Sequence, residues 1–271
     1  MKLLLVVVCF LLSVLSTQVP QRTMAQGLDE ITVDLPGLSR HSAPLVLVRI
    51  PAGTFTMGSP ATEPGHEFNE GPRRQVTISR DFYLGKYEIT QAQWKAVMTD
   101  NPSIFVGDEL PVNKVSWQDC QYFITCLKVM KKDSGFRLPT EAEFEYACRA
   151  GTQTATFFGN NPPVEVMTSY AWCRLNSEFE IHPVGMLKPN PWGLYDIIGN
   201  VWEWCADWYY LYDSKPTIDP TGPLFGRDKV IRGASWAARE EWLRSADRGK
   251  FPPNEAYNTG GFRIVWQEPA S

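Results

Sequence analysis

The order of apolar and polar positions divides the chain into stretches of different character. From Leu3 to Leu15 only Ser13 is polar; Lys2 precedes this run, and a polar segment ending in Thr23-Met24-Ala25 follows it. A bilayer span needs about 20 apolar residues, so this shorter run predicts a secretory signal over 1–25, cleaved after Ala25. The alternative is an uncleaved amino-terminal anchor. Residues 26–45 have a mixed pattern and are expected to form a loose leader, with the folded domain over 46–267. In "LVLVRIPAGTFTMGS" an apolar strand-like run breaks at Pro51-Ala52-Gly53 and resumes at Thr54. "SPATEPGHEFNEGPRR", residues 59–74, reads as a surface loop. "QVTISRDFYLGKYEIT" alternates as two short strands, with turns at Arg80-Asp81 and Gly85-Lys86.

The pattern then takes the period of a helix three times. Thr90 with Gln93, Ser116 with Asp119 and Thr140 with Glu143 each form the pair of a capping box. In the second helix Cys120, Phe123, Leu127 and Met130 fall on one face, and in the third Phe144, Ala147 and Cys148 form the buried stripe, with Gly151 as the stop. Beyond Gly151 the chain is rich in Gly, Pro, Asn, Trp and Tyr and has few stretches long enough for a helix. That composition predicts loops fixed by aromatic packing and by polar or metal contacts. The fold class expected is α+β, as one domain of low regular secondary structure.

Composition narrows the function more than the fold. With 271 residues, 44% of them apolar, the chain can bury a full core. Its formal charge is −4, and loss of Lys2 and Arg22 with the signal makes it more acidic. With no basic run, nucleic acid is excluded as the main partner. Export places the mature protein in the periplasm or outside the cell, with no membrane span once the signal is cleaved. Cys9 sits inside the apolar run, a poor place for lipidation, and leaves with the signal. The five cysteines that stay, Cys120, Cys126, Cys148, Cys173 and Cys205, are an odd number, which allows at most two internal bridges. Cys120 and Cys148 are expected to be small apolar filler in the core. There is no Cys-x-x-Cys, and His41, His66 and His182 stand far apart, so no zinc site is expected.

Eight segments occur in a fixed order: "IPAGTFTMGS", "YEITQAQWKAVM", "PVNKVSWQDC", "RLPTEAEFEYACRAG", "NPWGLYDIIGNVWEWCADWY", "VIRGASW", "LRSADR" and "GFRIV". Together they resemble the formylglycine-generating enzyme family, also called sulfatase-modifying factors, over roughly residues 47–266. The resemblance implies a single domain with a topology related to C-type lectins. It also implies one structural calcium ion, held by the carboxylates of Asp196 and Glu203 and by the backbone carbonyls of Gly199 and Val201. Calcium wants several oxygens at once, and irregular backbone supplies them. Trp202, Trp204 and Trp208 would then brace the loop and wall a neighbouring pocket. The alternative is that Asp196 and Glu203 cap turns or pair with Arg232 or Arg244. A second calcium site, which the family often builds before "HPVG", is left open.

The resemblance stops at catalysis. Oxidases of this family bind copper(I) through two cysteines that follow the Gly-Gly-Ser-aromatic motif, and soft copper prefers thiolate. Here that stretch is "RGASWAAREEWLRSADR". Ala238 stands in the place of the first thiolate, and Cys205 is the last cysteine of the chain. Copper is therefore not expected as a cofactor. Cys173 and Cys205 in proximity would more readily form a disulfide than a displaced metal site. Ser235 and Trp202 match residues that line the family's pocket, with packing as the competing reading, and Arg232, Arg244 and Arg263 match its framework.

Three functions stay open. The first is an exported protein that acts on or binds a peptide, an exported protein or a peptide-derived molecule without copper, with periplasmic siderophore-maturation proteins as the enzyme model. The second is a formylglycine-generating oxidase that matures sulfatases, and the third is a non-enzymatic, lectin-like binding module of the cell envelope.

Overall fold

The computed structural model describes residues 29–269; the expected signal over 1–25 and Cys9 lie outside them. Twelve short strands and four helices are present among these residues. The strands are β1 (Glu30–Val33), β2 (Leu45–Ile50), β3 (Gly53–Met57), β4 (Arg74–Ile78), β5 (Phe82–Gly85), β6 (Phe136–Arg137), β7 (Trp202–Trp208), β8 (Thr217–Ile218), β9 (Lys229–Arg232), β10 (Gly249–Phe251), β11 (Gly260–Gly261) and β12 (Val265–Trp266). The helices are α1 (Gln91–Val97), α2 (Trp117–Lys131), α3 (Glu141–Arg149) and the single turn α4 (Val164–Met167).

All three expected capping boxes form. Thr90, Ser116 and Thr140 accept from the backbone N–H of Gln93, Asp119 and Glu143, and each of those side chains reaches back to the cap residue's N–H. Two of the four free donors at each helix start are thereby satisfied. On α2, Cys120, Phe123 and Leu127 are buried as expected, whereas Met130, in the last turn, is 37% exposed. The amphipathic face runs past the edge of the core before the helix ends. Every residue of α3 is buried, its glutamates included. The left-handed conformation that stops α3 falls on Ala150 and continues through Gly151.

The strands form three sheets: β1-β2-β5-β12-β6, β10-β9-β7-β11 and β3-β4-β8. Pro51-Ala52 does more than turn the chain, because β2 and β3 on either side of it belong to different sheets. The expected leader is not loose throughout. Glu30–Val33 pairs antiparallel with β2, Glu30 opposite Val48, and Val33 and Leu35 join the core. Its alternation of exposed and buried residues is that of an edge strand with one wet face. The folded unit therefore starts before residue 46.

The expected surface loop over 59–74 needs a similar correction. Glu70 and Arg74 are buried within it, and Arg74 already belongs to β4. Arg244 grips Glu70 through two hydrogen bonds of 2.6 Å. Arg248 grips Glu141 at the start of α3 in the same two-point way, and Arg232 reaches Glu145 at 2.5 Å. Arginine suits this task because its planar fork keeps its charge and matches a carboxylate at two points. With so little regular structure, these pairs fasten the later loops to the early strands and to α3.

Candidate functional site

The segment Gly193–Tyr210 enters β7 through a tight loop. Asp196 and Asn200 adopt positive φ of 53° and 56°, and Gly199 between them has φ of +95°. A Cβ on Gly199 would lie 2.4 Å from the Trp172 carbonyl oxygen, so only glycine allows this approach. The loop lies against the segment that carries Ser235. Gly199 N–H donates to Gly233 O (2.7 Å), and Trp236 N–H donates to Asn200 O (2.8 Å). Asn200 is wholly buried; its Oδ1 accepts from His182 N–H (3.0 Å) and its Nδ2 donates to His182 O (3.2 Å). It locks together the three segments around residues 182, 200 and 236. Nothing local in the sequence distinguishes Asn200, since the clasp depends on the fold bringing His182 beside it.

Below the loop lies an excess of negative charge. Glu203 faces Arg263 through two hydrogen bonds of 2.7 Å, with both side chains fully buried. Neither Arg232 nor Arg244 is its partner, since both are committed to other glutamates. Asp196 Oδ2 accepts from Gly185 N–H (2.7 Å), while its Oδ1 is buried without a partner. Glu88, two residues before the α1 cap, is buried with both carboxylate oxygens unpartnered. Burial, then the charge of Asp196, pushes the Glu88 carboxyl well above the usual range. Burial likewise raises Asp196 to about 6. One guanidinium thus serves three carboxyl groups. Glu88 sits at an uneventful place in "YEIT", and only the three-dimensional fold brings it to Asp196.

This donor set suits a hard cation. Three buried carboxylate oxygens lack hydrogen bonds, and an ion would supply the missing positive charge. Among the described residues no three Asp, Glu, His or Cys side chains are placed to hold a metal by themselves. An ion here would draw on loop carbonyls as well, as the set Asp196, Gly199, Val201 and Glu203 already supposes. The structure places Glu88 within electrostatic reach of Asp196, outside that set, and gives Glu203 a resident partner in Arg263.

Trp202 and Ser235 belong to neighbouring segments joined by the Gly199–Gly233 and Asn200–Trp236 hydrogen bonds. Trp202 is half-buried and packs between the two large apolar clusters; Ser235 is 2% exposed. Ala238 is buried beside it and donates its N–H to Ser235 O (2.9 Å). Trp204 is buried and donates its indole N–H to Val115 O (2.9 Å), so it braces rather than lines a pocket. All five described cysteines are free thiols; Cys173 and Cys205 share one core cluster without a bond between them. Burial raises both thiols, Cys205 well above the ordinary value. At the segment left open for a second calcium, the side chain of Asn176 is tied to Cys173 N–H and to the carbonyls of Thr168 and Ala171.

The comparisons agree with this architecture. The family model for the sulfatase-modifying factor enzyme 1-like domain matches residues 38–268, and the chain belongs to that family. It is similar to the formylglycine-generating enzyme of Mus musculus, 29% identical over an alignment of 324 residues that covers 91% of this chain and 84% of the enzyme. It is also similar to chaperone protein LppX of Paenibacillus barcinonensis, 32% identical over 240 residues, 71% of this chain and 82% of that protein. Among solved structures, variable protein 1 of Treponema denticola superposes with a TM-score of 0.77 at 28% identity, covering 89% of this chain and 99% of that one.

Proposed function

We propose that this protein is an exported member of the family that binds, or acts on, a peptide, an exported protein or a peptide-derived molecule near Trp202 and Ser235, without copper-thiolate oxidation. The observation that carries this reading is Ala238, a buried methyl group where the first thiolate would stand, in a chain with no cysteine beyond Cys205. A methyl group offers copper(I) no ligand. The relative named as a chaperone supports a role in which a member of this family handles a polypeptide.

In this reading a calcium ion holds the 196–203 loop, with Asp196, Glu203 and the carbonyls of Gly199 and Val201 as its ligands, and its charge offsets the buried Glu88 carboxyl that acts on Asp196. It supplies structural charge neutralisation. The chain's own residues do the rest: Arg263 fixes Glu203, Asn200 clasps the loop to His182, and the Gly199–Gly233 contact sets Ser235 beside the base of β7.

The test is direct. The purified protein, supplied with copper(I), is incubated with a peptide that carries the cysteine sulfatase motif, and oxygen uptake and peptide mass are followed. Peptide binding without mass change supports the proposal; conversion of the peptide cysteine to formylglycine overturns it in favour of the oxidase reading.

A further inference from the structure

A second candidate site lies at the far end of β7. Trp202 and Ala206 are four residues apart on that strand, about 13 Å at strand spacing. At Ala206 the ends of all three sheets meet the start of α2 around a cleft of about 570 Å³. Its apolar wall includes Ile78, Leu138 and Trp117. Its charged lining includes Lys229, which is 4% exposed.

The state of Lys229 is unusual. Its Nζ lies 4.0 Å from the ring centre of Trp117 and 3.9 Å from that of Trp208. One N–H donates to Ala206 O (2.7 Å), and among the described residues no carboxylate lies within ion-pair distance of Nζ. Burial lowers Lys229 to about 8, so it is charged below that pH, and the indole faces that hold its ammonium give its remaining N–H groups no acceptor. The other charges of the cleft are spoken for. Arg137 is bound at two points to Glu143, Asp219 accepts from the Ser79 N–H and hydroxyl, and Arg80 donates to Glu268 O. Asp207, the acid that acts on Lys229 from the strand beside it, accepts from Glu141 N–H and is pushed up to about 7 by burial, so it is a weak counter-ion. What the cleft lacks is one anionic acceptor next to an apolar wall.

We propose that this cleft, where the three sheets meet, binds the terminal carboxylate of a ligand with a short apolar body, the carboxylate on Lys229 and the body against Trp117, Leu138 and Ile78. A carboxylate suits the place better than a phosphate dianion, because the charged lining, Arg80, Arg137 and Lys229 against Glu143 and Asp219, carries a single positive charge in excess. The inference is independent of the metal loop and of the chemistry at Ser235. Two sources share this chemistry, a free small acid and the C-terminus of a peptide, and the test separates them.

The full chain, isotopically labelled, is titrated with N-acetyl-leucine, N-acetyl-leucinamide, the peptide Gly-Gly-Leu as acid and as amide, and inorganic phosphate, in slightly acidic buffer. Indole N–H resonances of Trp117 and Trp208 are the readout. The acids are expected to shift both resonances saturably, with the amides at least about tenfold weaker. A peptide acid that binds more tightly than N-acetyl-leucine points to a chain terminus as the natural ligand; the reverse points to a small acid. Lys229→Met removes the charge and keeps the stem, and is expected to abolish the preference for acid over amide. Gln121→Glu, at a half-exposed position of α2 lining the cleft, places an anion there without disturbing the core and is expected to weaken the acids to a similar degree. Equal binding of acid and amide, absence of a shift at tens of millimolar, tighter binding of phosphate than of either acid, or an unchanged preference in both variants would overturn the proposal.

Discussion

Arg263 and Glu203 meet through two parallel hydrogen bonds at a point where neither side chain is exposed to solvent. The same guanidinium donates to the carbonyls of Gly85 and Tyr195, so it joins β5, the 193–201 loop and β7. Removing Glu203 breaks both hydrogen bonds and leaves the buried guanidinium with only the raised carboxyls of Glu88 and Asp196 to offset it, which costs about 3–5 kcal/mol. Glu203→Ala should therefore lose about that much stability in urea denaturation. A double variant, Glu203→Leu with Arg263→Met, should recover part of the loss. A single variant as stable as the parent would show that the pair holds nothing.

The unpartnered oxygens of Asp196 and Glu88 predict how the protein answers calcium. In the parent, calcium at about a hundred times its dissociation constant should stabilise the fold by about 2.7 kcal/mol. Asp196→Asn and Glu88→Gln should each reduce that increment. In chelator, neither variant should be less stable than the parent, because each removes a buried carboxyl with an unpartnered oxygen, and an amide oxygen at position 196 can still accept from Gly185 N–H. Thermal unfolding with and without calcium checks this. A calcium increment that persists undiminished in both variants would place the ion elsewhere.

Acids held above their ordinary range give the pH dependence its sign. Burial raises Asp207 and Asp247 each to about 7, against an ordinary value of 3.8. Between these limits the folded state keeps protons that the unfolded chain has released, so in chelator stability falls as pH rises through this window. Glu70 and Glu141 have the opposite sign: their carboxyls are lowered, and their contribution is lost only as pH falls below the ordinary carboxylate range. The protein should thus be more stable at pH ~5.5 than at pH ~8. Asp207→Asn should flatten the profile, gaining roughly 1–3 kcal/mol at the alkaline end. A profile that rises from ~5.5 to ~8 in chelator would contradict the assignment.

Thiol accessibility separates the cysteines cleanly. Cys120, Cys148, Cys173 and Cys205 are buried, and burial raises the thiol of each, Cys148 to about 11. Cys126, half-exposed on α2, is the one that a thiolate-directed reagent should reach. Among the five described cysteines the native protein should react at Cys126 alone, and all five should appear on denaturation. A native count of zero, with fewer than five after unfolding, would reveal disulfides instead.

The helices were legible because their signals are local. A capping pair three residues apart and an apolar stripe determine where α1, α2 and α3 begin and which face packs inward. Strand β1 was missed because four residues with one buried and one half-buried position look like mixed composition until β2 is beside them. The tight loop over Asp196 to Glu203 was legible as a run of residues. Its electrostatic surroundings were not, because Glu88 and Arg263 come from distant positions in the chain and contact order is invisible in composition. Lys229 shows the same limit. Its two indoles, from the start of α2 and the end of β7, come together only through the sheet order β9-β7.

The central claim is a family scaffold whose Ser235 loop carries no sulfur for copper and whose 196–203 loop holds a hard cation. Metal content of the purified protein tests it most directly, after equilibration with calcium and copper(I) together and removal of loosely bound ions. The account predicts about one equivalent of calcium and substoichiometric copper. One equivalent of copper, lost when Cys173 or Cys205 is changed to serine, with no calcium retained, would contradict it.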